Sequence, residues 1–94
     1  MLFAFFCTDR AGHLGVRQEN RAAHLAYLDR HGDKLFAAGA TFADDGTTMN
    51  GSLIILELPD LAEAKAFAAG DPYAKAGLFE SVSIRPWKKV RPAT

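Results

Sequence analysis

The run Leu2-Phe3-Ala4-Phe5-Phe6-Cys7-Thr8 at the head of the chain is apolar or aromatic at nearly every position and stops at Asp9 to Gly12. A strand that alternates apolar and polar residues covers one face of a sheet, whereas a strand without alternation reads as buried on both. Leu53-Ile54-Ile55-Leu56 has the same character. Strands of this kind belong at or near the centre of a sheet, and both faces of that sheet need cover.

The rest of the chain supplies the other elements. From about Val16 to Arg30 the spacing of Ala22, Leu25 and Leu28 predicts a first helix, with Gly32 as its C-cap. Leu35 to Phe42 and Ser52 to Leu58 predict an antiparallel hairpin turned by Asp44-Asp45-Gly46. Asp60, with Glu63 at the third helical position, predicts the start of a second helix that Gly70 and Pro72 end. Phe79 to Arg85 predicts the last strand, with Pro86 breaking the ladder before Trp87.

The order β-α-β-β-α-β in 94 residues predicts one domain over residues 1–94, of α+β class. It is a ferredoxin-like sandwich, a four-stranded antiparallel sheet with both helices on one side. Two helices leave the other side bare. With 49% hydrophobic residues, the simplest cover is a second copy packed sheet to sheet about a two-fold axis, so a homodimer is expected.

Eleven basic and eleven acidic residues cancel. Binding to a phosphate backbone relies on clustered Lys and Arg, and the one cluster, Arg85, Lys88, Lys89 and Arg91, is short and terminal, so no nucleic-acid partner is expected. The N-terminal apolar run lacks a basic lead and is too short for a signal peptide or a bilayer span, so no membrane partner is expected and a cytoplasmic location is. The single cysteine, Cys7, has no partner for an intrachain disulfide, and its apolar neighbours predict a buried, inert thiol.

Chemistry is concentrated in two segments. On a helical wheel Arg17, Arg21 and His24 fall in the sector of Leu25 and Leu28, so polar groups share the inward-leaning stripe and should line a wet cleft or meet an acid. Asp71, in Asp71-Pro72-Tyr73 just after the second helix, is the candidate acid. A histidine has an ordinary pKa of about 6.5, and a carboxylate that holds one ring nitrogen decides which nitrogen is left to take a proton. Taken singly, each residue has a plainer reading. A lone helical histidine often bonds to a nearby backbone group, and Asp-Pro after Gly is a common helix stop.

The chain as a whole resembles the YciI-like (YCII-related) family of the dimeric α/β-barrel superfamily. The resemblance rests on the order and spacing of Arg17, Arg21-Ala-Ala-His24-Leu-Ala-Tyr-Leu28, Ala38-Gly39, Gly51-Ser52, Asp71-Pro72-Tyr73, Ala76-Gly77-Leu78-Phe79 and Pro86-Trp87. It departs where many relatives have proline after the glycine, at Ala40-Thr41. The resemblance implies that His24 and Asp71 form a catalytic pair, and that ferredoxin-like protomers dimerise through the open sheet face. The expected activity is proton abstraction from a small substrate with elimination or isomerisation, a lyase- or isomerase-type reaction without a cofactor. In it Arg17 or Arg21 would neutralise a carboxylate or oxyanion, and Ser52 and Tyr73 would supply hydrogen bonds.

Other readings are weaker. His24 and His31 lie two turns, roughly 10 Å, apart along one helix, too far to share a metal ion without a third ligand, and no metal is expected. Nothing resembles a haem-binding phrase, and the sheet face is expected to carry aliphatic residues, where an RNA platform needs exposed aromatics and basic rims. The main rival is a non-catalytic binder or regulatory dimer that uses the same cleft for recognition.

Overall fold

The computed structural model describes residues 1–93. Strand β1 (Leu2–Asp9) leads into helix α1 (Leu14–Asp29), then β2 (Leu35–Phe42), β3 (Met49–Glu57), helix α2 (Leu61–Gly70), the one-turn helix α3 (Pro72–Lys75) and β4 (Phe79–Trp87). The strands form one antiparallel sheet in the order β2-β3-β1-β4, the ferredoxin-like arrangement. The two strands read as central, β1 and β3, are central.

Side chains alternate along β1, and the register with β3 carries the alternation across the sheet. Phe3, Phe5 and Cys7 stand opposite Leu56, Ile54 and Ser52. This side packs on Leu28 of α1 and on Ala64 and Phe67 of α2, with the Phe5 and Phe67 rings 5.2 Å apart. Burying each large apolar side chain here contributes about 1.5–3 kcal/mol. Tyr27 of α1 donates its hydroxyl to the Phe67 carbonyl at 2.8 Å. That bond ties the two helices together.

The opposite side is uncovered in the single chain. Phe6 and Leu53, paired across β1 and β3, are 47% and 36% exposed, and Phe36 on β2 is 48% exposed. Apolar character on both faces therefore does not mean burial on both faces within one chain. Strand β2 is the extreme case, with little of its surface covered on either side.

Several boundaries differ from the sequence reading, each for a local reason. Helix α1 starts at Leu14 rather than Val16, where the N-cap, His13, turns its ring to the Ala11 carbonyl and makes no capping bond to mark the start. It closes on Arg30 in right-handed geometry, with backbone bonds back to Ala26 and Leu28, so Gly32 is not its cap. Strand β3 begins at Met49, before the apolar run. Pro86 does not break the ladder. It pairs with Phe3, and Trp87 with Leu2, because β4 is an edge strand and needs to donate on one side only.

Asp71-Pro72 is not just a stop. Asp71 accepts the Tyr73 N–H at 2.9 Å and caps α3, with Pro72 at the first helical position. Asp60 caps α2 as expected, accepting the Glu63 N–H at 2.9 Å. The hairpin turn closes on Asp45, whose carboxylate takes the backbone N–H groups of Thr47 and Thr48 at 2.9 Å each. No helix among the described residues is long and apolar enough to cross a membrane.

Candidate active site

Helix α1 turns three polar or charged side chains toward the sheet and α3. Arg17 and His24 are 3% and 6% exposed, and Arg21 stands at the rim. From the other direction α3 brings Asp71 and Tyr73, both buried, and β3 brings the buried Ser52. A cavity of about 210 Å³ opens between α1 and β2. Its polar wall is Arg17, Arg21, His24, Ser52 and Tyr73; its apolar wall is Leu25, Leu28 and Met49; Ala38, Gly39 and Ala40 of β2 form the third side.

Of the six site residues expected from the sequence, five line this cavity and the sixth, Asp71, sits behind His24. His24 Nδ1 lies 2.9 Å from Asp71 Oδ1 and 3.1 Å from Oδ2. A carboxylate only accepts, so Nδ1 carries the proton and donates. Nε2 is then the basic nitrogen. It has no hydrogen-bond partner among the described residues, and it is not sealed from solvent. Asp71 Oδ1 is itself held by the Tyr73 N–H, so the acid that orients the imidazole is anchored to the backbone.

The two arginines differ. Arg17 donates from Nε and Nη2 to the two oxygens of Asp9, at 2.8 and 3.0 Å, and from Nη2 to Ser52 Oγ at 2.9 Å. Burial opposes its charge, but the hydrogen bond and the charge of Asp9 outweigh that and hold the guanidinium above its ordinary value. Arg21 makes no hydrogen bond or ion pair within the described residues, and it lines the cavity as an unneutralised cation. Burial pushes the Tyr73 phenol up, against the pull of Arg17 and Arg21. Tyr73 is thus a hydrogen-bond donor at neutral pH rather than a phenolate.

His31 has no place in the site, since its Nδ1 meets the Tyr27 carbonyl at 3.0 Å and its ring stands edge-on to Phe67. Among the described residues no group of three or more His, Cys, Asp or Glu side chains is placed to hold a metal ion. Cys7 is buried, and its thiol is pushed up to about 12, first by burial and then by the carboxylates of Asp71 and Asp9. Sequence reading missed Asp9, which looked like the end of a strand. The available signal was its phase, two residues beyond Cys7 on the buried side of β1.

The pattern of the YCII-related domain matches residues 1–88. The chain belongs to the YCII-related family. This YCII-related chain is 39% identical over 97 aligned residues to the protein YciI of Escherichia coli, covering 96% of this chain and 99% of that one. An uncharacterised protein of Haemophilus influenzae is 34% identical over the same shares. Among solved structures, TftG, the 5-chloro-2-hydroxyhydroquinone dehydrochlorinase of Burkholderia phenoliruptrix, in complex with 2,5-dihydroxybenzoquinone, superposes with a TM-score of 0.86. It is 40% identical, and the match covers 94% of each chain. A hypothetical protein of Pyrococcus horikoshii, 14% identical with a TM-score of 0.52 over 100% of this chain and 99% of that one, shares the fold.

Proposed function

We propose that this YCII-related protein is a cofactor-independent lyase or isomerase, in which His24 removes a proton from a small hydroxylated ring. The observation that carries the reading is the His24–Asp71 contact at 2.9 Å, which commits Nδ1 and leaves Nε2 at the cavity as the base. Asp71 keeps that tautomer and offsets the charge of the imidazolium that forms.

The cavity of about 210 Å³ suits one substituted ring, being smaller than the roughly 300–1,000 Å³ typical of sites for larger ligands. Leu25, Leu28 and Met49 meet the ring faces, and Arg21 meets a phenolate or an enolate oxygen. The Tyr73 hydroxyl and Ser52 add hydrogen bonds. Loss of a proton to Nε2 sends its electron pair into the ring. A ring carbon takes up a proton in turn, from His24 or solvent, which completes an isomerisation; where that carbon bears a leaving group, loss of a second hydroxyl proton then expels the group as its anion. No net oxidation or reduction occurs. The dehydrochlorinase activity named for TftG, and the dihydroxybenzoquinone in its complex, support an eliminating reaction on a polyhydroxylated ring.

As part of the same reading, the protein works as a homodimer in the cytoplasm, with the open sheet faces together. The exposed Phe6, Leu53 and Phe36 support the pairing.

Halide release and quinone absorbance, followed with 5-chloro-2-hydroxyhydroquinone and its unhalogenated parent, test the proposal. Turnover is expected in the wild type, and a loss of about 10²–10⁴-fold in kcat in His24→Ala with binding of 2,5-dihydroxybenzoquinone retained. Binding without turnover of any ring compound in the wild type sinks the enzyme reading in favour of a binder.

A further inference from the structure

A second buried ion pair stands beside the first, and the proposed chemistry makes no use of it. Arg17 and Asp9 have side chains 4% and 6% exposed, and their two parallel bonds lock the guanidinium plane. Ser52 fixes it from a third direction. A buried pair of this kind often adds no stability over well-packed apolar residues, so stability alone does not account for it. What it holds is an aromatic ring. Arg17 Cζ lies 4.7 Å from the centroid of Tyr73, and that ring stacks on the His24 imidazole at 4.0 Å with 15° between the planes.

The contact with Asp71 restrains His24 at one edge only, at Nδ1, about which the imidazole can still swing. A parallel ring at 4.0 Å removes that freedom. Tyr73 is 1% exposed, and its backbone N–H is bonded to Asp71 Oδ1. Its ring therefore couples the two ion pairs, one on each side of the chain of contacts Asp9, Arg17, Tyr73, His24, Asp71.

We propose that Arg17 is a positioning residue: clamped by Asp9 and Ser52, it holds the Tyr73 ring against His24 and so sets the line along which Nε2 meets the substrate, while Arg21 supplies the charge that meets the ligand. The inference rests on the acid–base reading of His24, but its main readout does not depend on turnover. Misplacing a reacting group by about 1 Å costs on the order of 10²-fold in rate, so a loosened imidazole lowers kcat more than it raises KM.

The test records the His24 ring-proton and ring-nitrogen signals by NMR in the full-length wild type, Arg17→Met, Asp9→Asn, Tyr73→Phe and Arg21→Gln, and titrates each with 2,5-dihydroxybenzoquinone. In Arg17→Met and Asp9→Asn the His24 ring protons are expected to lose the upfield shift that the stacked Tyr73 ring imposes, with affinity for the quinone within about threefold of wild type. Tyr73→Phe keeps the shift. Arg21→Gln leaves the His24 signals in place and weakens quinone binding tenfold or more. Where circular dichroism finds Arg17→Met unfolded, Arg17→Lys, which keeps the charge beside Asp9 and loses the flat fork, gives the same readout. Unmoved His24 signals in the Arg17 and Asp9 variants overturn the proposal, and so does a loss of affinity in Arg17→Met equal to that in Arg21→Gln. Absence of turnover with the ring signals behaving as expected overturns the acid–base reading alone.

Discussion

At the scale of single residues, the fold assigns opposite tasks to groups that look alike in sequence. His24 is aligned by an acid and faces a cavity, whereas His31 is spent on a backbone carbonyl. Arg17 is paired with Asp9, whereas Arg21 has no ion pair among the described residues. Cys7 is a thiol that burial keeps a thiol. With its folded value pushed up to about 12 from an ordinary 9.0, its contribution to stability is fully present below pH 9.0 and is lost as pH rises through about 12. Iodoacetamide at about pH 8 is therefore expected to label Cys7 in the folded protein far more slowly than in urea, read by intact mass; equal rates would contradict its burial. His24 and Asp71 were legible because a histidine in the inward stripe of a helix asks for a partner, and Asp-Pro offers one. Asp9 was not, since an acid at a strand end reads as a turn, and only the pairing with Arg17 across 8 residues reveals a clamp.

At the scale of elements, the strands and helices followed from periodicity, and the discrepancies occur where tertiary placement outweighs local signals. Pro86 stays in β4 because of where β4 lies in the sheet, which no local pattern encodes. The one-turn α3 escaped notice because its four residues are too few to show a period. Gly51 is a further case, legible only from the fold. A Cβ there would sit 2.3 Å from the Cys7 carbonyl oxygen and 2.6 Å from Thr41 Oγ1. Since a paired backbone atom has little room to give, Gly51→Ala is expected to destabilise the protein by about 1–3 kcal/mol in urea denaturation. Gly39→Ala on β2, where nothing lies within 4 Å of the added carbon, is the control, expected within about 0.5 kcal/mol of wild type. A similar loss in both would remove the crowding argument.

For the whole molecule, the imbalance between a covered and a bare sheet face was the earliest conclusion available from the chain, and it carries the proposed dimer. Phe6→Glu, at a position 47% exposed in the single chain, is expected to halve the mass measured by light scattering while leaving the circular dichroism unchanged. A wild type that is already monomeric at micromolar concentration would end that proposal. Strand β2 gives the arrangement a further consequence. Ala38, opposite Ile54, belongs to the cavity wall, whereas Ala37, opposite Ile55, belongs to the bare side. A single thickness of backbone separates what leans on one surface from what leans on the other. In the proposed dimer any coupling of self-association to ligand uptake through β2 would be reciprocal, so a change in apparent affinity for a ring compound as the protein is concentrated would be matched by an equal effect of the ligand on the dimer.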